Sequence, residues 1–138
     1  EQLAKDFENV EKELFLIEEF TRIKVEMLDE KINSKFKYAR FKLTHKQVDG
    51  TLVDVCETTY NGVPYGSGLN NAAKINVGLD IIQTLSDHYG FRVPIFVDNA
   101  EAVTQLVEMD AQVISLVVSE KDKQLRIETQ RAGEEGAA

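Results

Sequence analysis

Leu3, Phe7, Val10, Leu14, Ile17 and Thr21 step alternately by four and by three, while Glu8, Glu11, Glu13, Glu18 and Glu19 crowd the remaining faces. That spacing is a heptad seam on an amphipathic helix. Neither Gly nor Pro occurs before Gly50, so the pattern predicts one helix over residues 1–34, about 45 Å long at 1.5 Å per residue. Past Thr21 the seam weakens, continued by Val25, Leu28 and Ile32. A coiled-coil helix that leaves its partner and docks on a globular body fades in this way; an amphipathic helix lying on its own domain is the alternative.

From residue 36 the period changes. Phe36, Tyr38, Phe41 and Leu43 surround Lys37, Arg40 and Lys42; Asp49-Gly50 supplies a turn; Leu52, Val53, Val55 and Cys56 lead through Thr58 and Thr59 to Tyr60. This predicts a β-hairpin. Asn61-Gly62 ends it, and the Gly and Pro of residues 63–68 predict a loop without regular structure. Ile75, Leu79, Ile82 and Leu85 then recur at helical spacing, with Ala72 and Ala73 as helix formers, so a helix is expected from Leu69 to about His88, stopped by Gly90.

The run Val93-Pro94-Ile95-Phe96-Val97 is continuously apolar, as in a strand buried on both faces of a parallel sheet. A short helix from Glu101 to Glu108, a second buried run over 113–118 and a last strand from Leu125 to Thr129 are expected to follow. The order strand, helix, strand predicts a right-handed parallel crossover whose strands open their carboxyl ends on one edge. The expected fold is therefore α/β: a long N-terminal coiled-coil helix, a β-hairpin, and a partly parallel sheet with flanking helices. It divides into a stub helix (1–34), a lobe (35–130) and a small polar tail (131–138) expected to be disordered.

Composition narrows the class. Hydrophobic residues make up 43% of the chain, enough for a core and too many for a disordered acidic tail. The net charge of −8 repels phosphate backbones, which argues against a free-standing nucleic-acid binder. The one cysteine, Cys56, has no internal partner, and no signal peptide or apolar stretch of membrane-spanning length occurs, so a cytoplasmic location is expected. Cys56 reads as a core residue or an inert surface thiol. His45 and His88 fall on different elements and lack ligand spacing, which gives no indication of a zinc site. Lys37, Arg40, Lys42 and Lys46 form a basic cluster, read either as a solvated face or as a DNA-facing strip. The first residue is Glu1 rather than Met, which suggests processing or a piece of a longer protein.

Asp98 is the most informative side chain. A carboxylate ending an apolar strand is where nucleotide-binding sheets hold Mg²⁺, although such an Asp also serves simply as a helix cap. Leu69-Asn70-Asn71-Ala72-Ala73-Lys74 at a helix start resembles the signature motif of ABC-type ATPases; Pro94 to Glu101 resembles their Walker B strand; Gln112 to Ser119 resembles the strand before their switch histidine. The order of elements, over nearly the whole chain, is similar to the C-terminal half of an SMC/SbcC-like ATPase head, of the phage or Gram-positive bacterial type.

The resemblance implies a nucleotide-binding loop of Ser67, Gly68, Asn70 and Asn71 facing ATP on a partner head, with Asp98 as the Mg²⁺ ligand. Asn70 or Asn71 serving only as an N-cap is the alternative. Where the family carries its catalytic Glu this chain has Asn99, an amide that orients water without accepting its proton. Glu101 stands next, as a substitute or as a first-turn acid on its helix, and Ser119 or Glu120 takes the place of the switch histidine. No Gly-x-x-x-x-Gly-Lys-Ser/Thr occurs, so the chain alone is not expected to hydrolyse ATP. The implied partners are an N-terminal P-loop lobe of the same protein, a second copy meeting it through the head or the coiled coil, DNA and a nuclease subunit. The implied roles are DNA recombination, repair or phage replication. Two alternatives remain: a non-enzymatic coiled-coil interaction protein reusing this lobe, and an unrelated α/β domain in which Asp98 is only a cap.

Overall fold

A computed structural model describes residues 1–48 and 50–129. It is an α/β structure with a long N-terminal helix, a three-stranded antiparallel sheet and a two-stranded parallel sheet. The first helix, α1, runs Gln2–Asn33 and buries none of its residues. On its surface Arg22 bonds Glu19 at 2.8 Å and Glu26 at 3.0 Å. The hydrogen bond from Arg22 holds the Glu19 carboxyl below its ordinary range. A second apolar stripe, Leu16, Phe20, Ile23 and Met27, runs along the same helix and is also exposed.

At the end of α1, Asn33 replaces a backbone strand. Its Oδ1 accepts from Phe41 N at 2.6 Å and its Nδ2 donates to Phe41 O at 2.9 Å. This extends the ladder of β1, Arg40–Lys46, which pairs antiparallel with β2, Leu52–Tyr60. Leu43 faces both Val55 and Cys56 where the register shifts, a β-bulge. Asp49 of the expected turn lies outside the described residues; Gly50 has φ +90°. Asn61 and Gly62, with φ of 50° and 79°, make a second tight turn, because both central positions need positive φ. The chain therefore reverses again into β3, Val63–Pro64, paired with Tyr60 and Thr59. Regular structure at Val63–Pro64 corrects the first two residues of the expected 63–68 loop, while 65–68 are turn as expected; Pro64 is tolerated because β3 is an edge strand.

Helix α2 spans Asn71–Tyr89 and ends at Gly90 in the left-handed conformation, φ 72°. Its buried carboxylate, Asp80, accepts hydrogen bonds from the N–H groups of Lys37 (3.0 Å), Tyr38 (2.7 Å) and Ala39 (2.8 Å). Asn76 accepts from Val107 N and donates to Gln105 O, while Gln83 accepts from Asp110 N. One helix thus fixes the segment before β1 and the segment after β4.

The parallel pair is β4, Ile95–Val97, and β5, Val113–Ser115. Ile95, Val97 and Ala100 pack on Leu79, with Ile75, Leu106, Val107, Met109 and Ala111 around them. Four expectations fail here. The strand is not buried on both faces, since Phe96 between two buried residues is 68% exposed and α2 covers only one side. The helix expected over Glu101–Glu108 shrinks to a 3₁₀ turn, Ala100–Ala102, because the backbone groups at 105, 107 and 110 are already bonded to side chains of α2. The second apolar run is strand only over β5, with Leu116, Val117 and Val118 exposed, and Leu125–Thr129 forms no strand because no neighbour pairs with it. The tail expected over 131–138 lies outside the described residues.

The resulting core is small. Among the described residues its buried apolar side chains are Ala39, Val77, Leu79, Ile95, Val97 and Ala100. The accessible surface is 11663 Å², against about 7,200 Å² for a compact monomer of this mass. With so little apolar burial, the polar clamp on Asp80 carries a large share of the tertiary stability. Asp80→Asn offers a donor where three donors converge, and is expected to lower the unfolding free energy by about 2–4 kcal/mol in urea titrations. A loss under about 0.5 kcal/mol, the range of an ordinary surface change, would show that the clamp does not hold the lobe together.

Candidate functional site

The loop before α2 is built by local constraints. Gly68 N–H donates to Pro64 O at 3.1 Å, and a Cβ on Gly68 would lie 2.5 Å from Val63 Cγ1, so a side chain here would force Val63 to move. Asn70 has extended backbone and its Oδ1 accepts from Ala73 N at 2.8 Å. Asn70 is therefore the N-cap of α2, which was the alternative reading of this residue. Asn71, the first helical residue, is exposed, and the Asn71 and Ala72 N–H groups have no protein acceptor among the described residues.

Asp98 follows Val97 at the carboxyl end of β4 and is exposed. Its Oδ1 accepts from Asn99 N at 2.9 Å, and Oδ2 has no hydrogen-bond partner among the described residues. Asn99 is left-handed, φ 57° and ψ 39°, a conformation in which Asn is several-fold enriched. Ala100 N donates to Leu116 O at 3.1 Å, and Leu116 N to Val97 O at 2.8 Å, so the exit of β4 is stitched to the end of β5. Asp98, Asn99 and the exposed Glu101 thus share one edge. Glu120 is exposed further along, and no hydrogen bond links it to Asp98 among the described residues.

The chain leaves α2 at Gly90 and enters β4 at Ile95, and Leu79 of the helix packs with Ile95, Val97 and Ala100, with Ile75 beside them. Ser67, with Lys42, His45, Cys56, Glu57 and Tyr65, lines a shallow concavity of about 580 Å³ on the antiparallel sheet, where Lys42 Nζ lies 3.4 Å from His45 Nδ1. Cys56 is an exposed thiol. The basic cluster is partly spent locally: Arg40 donates to the carbonyls of Phe36 and Ala39, and Lys37 sits 5.2 Å from the Tyr38 ring centroid.

No group of three or more His, Cys, Asp or Glu side chains able to hold a metal ion occurs among the described residues. A lone exposed carboxylate suits Mg²⁺ that is held chiefly by water and phosphate oxygens, and does not suit a cation held by protein ligands alone. The polar residues that organise the lobe, Asp80, Asn33, Asn76 and Gln83, were not singled out from the sequence. Asp80 had one visible signal, a carboxylate directly beside Leu79 in the apolar centre of its helix.

Compared with protein-family models, curated proteins and solved structures, the chain matches none. No helix among the described residues is long and apolar enough to cross a membrane.

Two substitutions separate local architecture from ligand contact. Asn70→Ala is expected to lower stability by about 1 kcal/mol and Asn70→Asp to preserve it, since either oxygen caps the helix. Gly68→Ala is expected to lose roughly 1–2 kcal/mol, most of it recovered when Val63→Ala removes the clashing methyl. Thermal or urea unfolding of the four variants measures both effects.

Proposed function

We propose that the chain is the C-terminal, signature and Walker B lobe of an SMC/SbcC-like ATP-binding protein that acts in DNA recombination, repair or phage replication in the cytoplasm. The observation that carries this reading is the unfinished parallel sheet. Parallel sheets are normally covered on both faces, yet β4 and β5 have no further paired strand among the described residues and leave Phe96, Leu116, Val117 and Val118 exposed. An N-terminal P-loop lobe would cover that face. The element order supports the same assignment: long helix, hairpin, Gly-rich turn, capped helix, then a strand ending in Asp98.

In the complete head Oδ2 of Asp98 would hold Mg²⁺ through water, and Mg²⁺ would supply charge neutralisation for the phosphates of ATP. The Asn99 amide would orient a water, and Glu101, in the first turn after it, would be the carboxylate that accepts its proton. Glu120 occupies the sensor position after β5. Ser67, Gly68 and Asn71 at the head of α2 would face the nucleotide of a second head, with the open Asn71 and Ala72 N–H groups directed at phosphate oxygens. Asn70 contributes through its cap, which aims those groups. Two heads would then associate only with ATP between them, and DNA and a nuclease subunit would be partners of the assembled protein.

One observation favours a second reading, a non-enzymatic interaction protein reusing this lobe. Asn99 is accounted for by its left-handed backbone alone, at the place where hydrolysis asks for a carboxylate.

The encoding reading frame decides between them first. A P-loop several hundred residues upstream, separated by heptads, supports the ATPase; a start codon immediately before Glu1 removes it. In the complete protein, Asp98→Ala is expected to reduce ATP turnover by roughly a hundredfold or more, while turnover at the unmodified rate takes Asp98 out of the mechanism.

A further inference from the structure

We propose that α1 pairs with a helix of different sequence whose flanking positions carry Lys or Arg, and that a second copy of α1 is not its partner. The apolar seam is presented to solvent: Phe7 is 62% and Leu14 is 55% exposed. Exposed aromatic and aliphatic side chains in heptad register call for a facing helix. The chemistry of that helix follows from the seam's borders.

With Phe7 and Leu14 at the a positions and Leu3, Val10 and Ile17 at d, the e and g positions between Asp6 and Glu18 are Asp6, Glu11, Glu13 and Glu18. All are acidic. The two lysines of this stretch, Lys5 and Lys12, fall at f, on the side away from the seam. None of the four acids forms an ion pair among the described residues, in contrast to Glu19 and Glu26, which share Arg22.

A parallel pair of identical helices sets g against the following e of its partner, so Asp6 would meet Glu11 and Glu13 would meet Glu18, each twice by symmetry. An antiparallel pair sets e against e and g against g, again acid on acid. Like charges at these positions repel and opposite charges attract, which makes the e and g residues the determinants of partner choice. Basic e and g residues satisfy both borders at once.

The inference stands on α1 alone and does not depend on the ATP-binding reading. The test is a titration of the whole chain with two designed four-heptad peptides, both with Leu at a and d, one with Lys and the other with Glu at every e and g position. Each peptide repels itself and stays unpaired. The Lys-flanked peptide is expected to bind at least about tenfold more tightly, with the advantage shrinking as NaCl rises from about 50 to about 500 mM. The variant Asp6→Lys/Glu11→Lys/Glu13→Lys/Glu18→Lys should reverse the preference. Equal binding of the two peptides, binding of neither, or a dimer of the chain in sedimentation that Phe7→Glu/Leu14→Glu abolishes would overturn the proposal. Because no nucleotide is present, any of these outcomes leaves the assignment of Asp98 and the α2 loop to be judged by its own experiment.

Discussion

The carboxylate of Asp80 gathers the amides of Lys37, Tyr38 and Ala39, and on that convergence the relation of the two halves of the lobe depends. Three consecutive N–H groups pointing one way have no strand or helix to satisfy them. Buried without an acceptor, each would cost a substantial fraction of a small domain's stability. A single charged acceptor on α2 satisfies all of them and fixes the point at which the chain leaves α1 and enters β1. Thr84 adds a weaker bond to Lys35 O at 3.4 Å from the same side of the helix.

The same device recurs where packing is thin. Asn33 stands in for a strand beside Phe41, and Asn76 holds Gln105 and Val107 by the same paired donor and acceptor. Gln83 and the Arg92 bridge between Asp87 and Asp110 secure the rest of that segment. These bonds are directional, so they define geometry where a core of few buried residues would leave the segments loose. Apolar surface remains bare along the seams of α1 and on the Phe96 face of the parallel pair, among other places. Both are elements whose regular partners, a facing helix and a covering layer, are not among the described residues.

The candidate site inherits its shape from these constraints. Asp98 is aimed by the β4 exit, which Leu116 stitches to β5, and the α2 loop is aimed by its cap and by the close contact of Gly68 with Val63. Among the described residues Asp98 forms no ion pair, and the hydrogen bond it accepts comes from the N–H of Asn99 next to it.

Local chemistry alone determined much of the element plan. The unbroken heptad pattern specifies α1, Gly90 stops α2, the Asn61-Gly62 pair enforces a tight turn, and Asp98 follows β4, because each depends on residues within a turn or two of itself. What tertiary structure decided is everything that depends on a distant partner. Val93 to Val97 reads as a strand buried twice over, but burial needs a layer on each face, and among the described residues none covers the face that Phe96 presents. The apolar runs at 113–118 and 125–129 read as strands, but a strand needs a neighbour's hydrogen bonds, and only Val113–Ser115 has one. Glu101 to Glu108 has a helical composition, yet Asn76, some thirty residues away in sequence, holds its backbone at Gln105 and Val107 in another shape. The role of Asp80 was the least legible, since a carboxylate in a helix says nothing by itself about three amides more than forty residues earlier.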